Sequence, residues 1–131
     1  MFGFGKKKGS EQPTPTDDDP PGEAEKVLKI KHLCWLAGMS AENIVGLSEE
    51  QLQEELSRYE YDRYKKKILE ATNLARELRD VFYRDAALHL LIKPLMAAGD
   101  EAQAKKLFAI IEVDTIQNAV LKDFPRLGAK F

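Results

Sequence analysis

The chain has 131 residues, 44% of them hydrophobic and 32% charged, with a net charge of −2 and an isoelectric point near 5.8. That suffices for one domain with a real core, and it lacks the basic excess of a general nucleic-acid binder. One cysteine, Cys34, excludes an internal disulfide framework, and with two histidines it does not make a zinc site of the usual kind, so no metal and no cofactor is implied.

No apolar run is long enough to cross a bilayer, and the start MFGFGKKK lacks the apolar segment of a signal peptide. The expectation is a cytoplasmic protein without a transmembrane segment, with peripheral membrane contact as its one route to lipid.

Residues 1–22 read as a disordered tail: Gly3, Gly5, Gly9, Pro13, Pro15, Pro20, Pro21 and the acidic Asp17, Asp18 and Asp19 leave almost nothing to bury after Phe4. The tip carries Phe2, Phe4, Lys6, Lys7 and Lys8, the makings of a weak membrane or polyanion anchor at roughly 1 kcal/mol per lysine. Residues 23–125 follow as a single all-α domain, and residues 126–131 as a frayed end.

The first helix is expected over residues 23–37, with Val27, Leu28, Ile30, Leu33, Cys34, Trp35 and Leu36 as a broad apolar side and Gly38 as its left-handed stop. Ser40 would cap a short second helix that Gly46 ends. Ser48 and Gln51 spell a capping box for a third.

Residues 47–93 hold no glycine or proline, so that third helix is expected to be long, from Glu49 to at least Tyr83. Tyr61, Tyr64, Ile68, Ala71, Ala75, Leu78 and Phe82 recur along it at spacings of three and four, a seam for lengthwise packing or for self-association. A break near residues 83–85, with Asp85 capping a restarted helix, is expected. So is a kink at Pro94, which lacks a donor and clashes with the carbonyl of Leu90. Gly99 then closes that element. Asp100 caps a helix over residues 101–113, and Asp114 caps a last one. The sum is a compact bundle of four to six helices.

Four features bear on function. The stretch around Gly38 is similar to a helix-turn-helix in its small and apolar positions, but residues 40–51 carry Glu42, Glu49 and Glu50 and no cation to meet phosphate. Tyr59, Tyr61, Arg63, Tyr64, Lys65, Lys66 and Lys67 form the most unusual composition in the body. Tyrosine and arginine anchor protein interfaces, and the same residues can stack bases and hold phosphates.

The segment HLLIKPL resembles the phosphoacceptor box of sensor histidine kinases at His89, Leu91, Pro94 and Leu95, although Leu90 stands where that box has an acidic residue. The resemblance implies a histidine phosphotransfer partner with His89 as phosphoacceptor. GDEAQAKKLF resembles the turn and second helix of a tetratricopeptide repeat, without an echo about 34 residues earlier.

No nucleophile–base pair or phosphate-cradling loop is present. The leading expectation is therefore a non-catalytic adaptor or regulatory protein that binds another protein. Polyanion binding through residues 63–67 with the Lys6–Lys8 tip is the alternative, and phosphotransfer through His89 is a third.

Overall fold

The computed structural model describes residues 22–128, so the Phe2–Lys8 tip and the acidic spacer lie outside the described residues. Those residues form six α-helices and no strand: α1 (Glu23–Ile44), α2 (Glu49–Leu52), α3 (Glu55–Arg76), α4 (Val81–Ala97), α5 (Glu101–Ala109) and α6 (Asp114–Asp123), then a 3₁₀ turn at Pro125–Gly128. The all-α bundle expected from composition is the fold. α1 packs along both α3 and α4, α5 rests on α4, and α6 closes the far end of α4.

α1 runs straight through Gly38, so the stop expected there and the separate short helix expected after Ser40 do not form. Glycine inside a helix costs about 1 kcal/mol relative to alanine. Against that cost stand Ala37, Ser40, Ala41 and Ile44, all buried in the core. A break after Ala37 would turn the last three out of register with α3. Ser40 is thus no cap; its hydroxyl donates across to Glu60 at 3.5 Å. The helix stops at Val45, whose backbone is extended, and Gly46 follows with φ 80°.

The long helix expected from Glu49 to Tyr83 is three helices. Ser48 and Gln51 do form a capping box, with Gln51 N donating to Ser48 Oγ at 3.2 Å and Ser48 N to Gln51 Oε1 at 2.9 Å. Yet α2 lasts only four residues. Glu50 and Glu54 stand four apart, and like charges at that spacing oppose continuation. Breaking there also lets Leu52 turn onto the core.

The second break falls at residues 77–80, ahead of the expected place, and Glu23 sets it. Its carboxylate, only 2% exposed, accepts from Arg79 N and Asp80 N at 2.9 Å through the same oxygen, Oε1. Lys26 adds an ion pair to Glu77 at 3.4 Å. Asp80, not Asp85, caps the restarted helix, its Oδ1 accepting from Tyr83 N at 3.0 Å.

Asp85 has a different task. It is fully buried on α4, and its Oδ2 accepts from Glu112 N and Val113 N, both at 2.8 Å. Oδ1 takes Arg84 Nε at 3.1 Å and Nη2 at 3.0 Å. Arg84 Nη2 also donates to Glu112 at 2.9 Å, and these bonds, Glu112's first, hold the guanidinium above its ordinary pKa.

Every lone pair that Asp85 offers is taken, which is the condition under which a buried carboxylate is tolerable. The helix expected over residues 101–113 therefore ends at Ala109, and the freed amides of residues 112 and 113 point at Asp85. Asp114 makes no side-chain cap to α6.

α4 continues through Pro94 to Ala97, and Gly99 closes it with φ 80°. Gly99 N donates to Met96 O at 3.1 Å and Asp100 N to Leu95 O at 2.8 Å, the two bonds of a Schellman turn. Leu127 is buried within the 3₁₀ turn at Pro125–Gly128, and residues 129–131 of the end expected to fray lie outside the described residues.

Replacing Asp85 by alanine strands two half-buried amides and leaves Arg84 without its inner partner. The expected loss is about 3 kcal/mol in urea unfolding, whereas Glu112→Ala, on the exposed side of the same network, should cost under about 1 kcal/mol. Equal costs would contradict the assignment.

Candidate interaction surface

Folding divides the tyrosine–cation cluster of α3 in two. Tyr64 turns inward and is 4% exposed, in line with Ala71, Ala75 and Leu78 on the face that meets the core. The middle of the expected packing seam is thus used within the chain, while its ends, Tyr61 and Phe82, remain exposed.

The Tyr64 hydroxyl is buried without a hydrogen-bond partner. Burial, then the charge of Asp100, then Tyr61, push its pKa above the ordinary tyrosine value. It belongs to the core and is absent from the outer surface.

The outer face of α3 keeps the others. Tyr59 is 63% exposed and Leu69 61%. At 3.6 residues per turn, Tyr59, Asp62, Lys66 and Leu69 fall within one arc of about 80°. Tyr59, Asp62, Arg63, Lys66 and Lys67 share a shallow depression of about 440 Å³ with Leu36 of α1. A larger groove of about 610 Å³ runs between α3 and α5, floored by Leu95 and edged by Lys65, Lys66, Leu69 and Arg76.

The cations are partly spoken for. Arg63 stands 4.0 Å from Glu60, and Lys67 pairs with Glu70 at 3.3 Å. Lys65 Nζ lies 5.6 Å from the centre of the Tyr61 ring, a cation–π contact. Glu60 in turn accepts from Ser40 and Asn43 of α1, which ties this face to the core helix. The result is a mixed surface: apolar plates between cations, with Glu60, Asp62 and Glu70 interleaved.

The other candidates stand apart from it. His89 is a quarter exposed on α4, and its Nε2 faces Asp123 Oδ2 of α6 at 3.2 Å. Among the described residues no group of three metal-ligating side chains converges, and no helix is long and apolar enough to cross a membrane.

One surface went unread in the sequence. α1 and α4 bound a groove of about 350 Å³ whose lining includes Cys34, Trp35, Gly38, Met39, Leu90 and Pro94. Trp35 is 62% exposed there and stacks on His32, with ring centres 6.2 Å apart. The all-round apolar composition of residues 33–37 hid which of them faced out. Compared with family models, curated proteins and solved structures, the chain matches none.

Two outcomes follow. Burial pushes the Cys34 thiol up to about 12 from an ordinary 9.0, so it should resist thiol reagents at pH 8 until the protein unfolds. The folded state holds that proton more tightly than the unfolded one. Stability from this source is complete below pH 9 and is lost as pH rises toward 12, and Cys34→Ala should flatten that alkaline decline. Tyr64→Phe removes an unpartnered hydroxyl and should leave stability unchanged or raise it by up to about 1 kcal/mol, checked by the urea midpoint.

Proposed function

We propose that the protein is a non-catalytic helical adaptor that binds another protein through the outer face of α3. The observation that supports this most is the exposure of Tyr59 and Leu69 on one arc with Lys66, flanked by Arg63 and Lys67. Exposed tyrosine and leucine between cations is the composition of an interface centre, where apolar plates exclude water and charges select the partner. The fitting partner is a segment with apolar anchors and acidic flanks.

A polyanion reading fits less well. Three carboxylates, Glu60, Asp62 and Glu70, stand among the four cations of this stretch, and two of the cations already have acidic neighbours within 4.0 Å. A phosphate backbone would meet repulsion as often as attraction. A bidirectional pattern of charge suits a protein partner, which carries both signs itself.

The test is quantitative capture from an extract of the protein's own cells, with the full chain as bait. Tyr59→Ala combined with Lys66→Glu should reduce recovery of the bound protein at least about tenfold, while Tyr64→Phe leaves it intact. Equal recovery with both baits, or recovery of nucleic acid in place of protein, would contradict the proposal.

A further inference from the structure

The exposed side of α1 carries a pattern that the α3 surface does not explain. Leu28, Lys31, Trp35, Gly38, Glu42 and Val45 recur at spacings of three and four and fall within one arc of about 100°, on the flank of the helix that adjoins the buried arc at Cys34. Leu28 is 56% exposed, Trp35 62% and Val45 49%. This is a seam of the kind that packs along another helix, and nothing in the described chain covers it.

The order of residues in the seam is its own complement. Reversed end for end about the midpoint between Leu36 and Ala37, each position meets a suitable partner. Leu28 falls opposite Val45, apolar on apolar. Lys31 falls opposite Glu42, cation on anion. Trp35 falls opposite Gly38. The last pairing is the most demanding, because an indole needs a place without a side chain. A Cβ built on Gly38 would meet no atom within 4 Å, so the space above it is open. Gly38 and Trp35 both line the same α1–α4 groove, so the indole of one copy has a seat on the other.

We propose that this face is a two-fold self-association surface, on which α1 of a second copy lies antiparallel across Gly38. An isologous contact requires that residue i meet j while j meets i, and the three pairs satisfy it. Each dimer gains the Lys31–Glu42 ion pair twice and seats both indoles. It also accounts for a glycine kept inside a 22-residue helix, where local propensity disfavours it. The surface is separate from the outer face of α3, so the proposal stands or falls independently of partner capture.

The experiment is sedimentation equilibrium of the full chain from low to high micromolar concentration, with emission of the single tryptophan recorded on the same samples. The wild type should shift from monomer to dimer mass as the emission moves to shorter wavelength. Gly38→Leu should be monomeric while unfolding at an equal or higher urea concentration than wild type, since its side chain enters open space and favours helix.

Lys31→Glu should weaken the dimer about tenfold by making both ion pairs repulsive. Lys31→Glu combined with Glu42→Lys should restore it, because the exchanged charges meet again only across two copies. A strict monomer at high micromolar concentration would overturn the proposal. So would a dimer indifferent to Gly38→Leu, or a double charge exchange that fails to rescue the single one.

Discussion

Two buried carboxylates hold this bundle in shape. Glu23 and Asp85 each reach from a helix to a pair of backbone amides in a distant turn, 56 and 57 residues away for Glu23 and 27 and 28 for Asp85. A helix end normally satisfies its free amides with a nearby side chain or with water. Here the acceptor comes from another element, so the turn can form only where that element lies. The two links fix the α3–α4 turn against the start of α1 and the α5–α6 loop against the N-terminal part of α4.

That arrangement explains what the sequence made legible and what it did not. Fold class was legible because residues 47–93 lack glycine and proline and offer few alternatives to helix. Local signals were legible too: the capping box at Ser48 and Gln51, and the glycine stops at Gly46 and Gly99. The breaks after Arg76 and Ala109 were not, since neither contains glycine or proline and each is tied to a carboxylate far along the chain.

Asp85 did leave a trace, as a lone acid among Val81, Phe82, Ala86, Ala87 and Leu88. An acid at a core-facing position must be bonded by something, and the trace suggested a cap when it marked a tertiary link. Gly38 misled in the opposite sense. Its propensity argued for a stop, and the burial of Ala41 and Ile44 overrode it.

The surface followed the same logic. Composition singled out residues 59–67 as unusual, and it could not separate Tyr64, which fills the core, from Tyr59, which stays outside. Helical phase decides between them, and phase depends on where α3 starts. Once α3 begins at Glu55 and packs its Ala71–Ala75 side on α1, the outward arc is determined. α1 likewise shows solvent a single arc because its opposite side is pressed on α3 and α4. Both candidate surfaces are therefore consequences of the core packing that the two carboxylates lock in place.

The most direct test of that lock is native-state hydrogen exchange at the four amides concerned, those of Arg79, Asp80, Glu112 and Val113. They sit in turns, where exchange is ordinarily fast, yet they should open only with the whole molecule and share the protection of core amides in α1 and α4. Exchange at those four as rapid as at the exposed Gly46 would contradict the account.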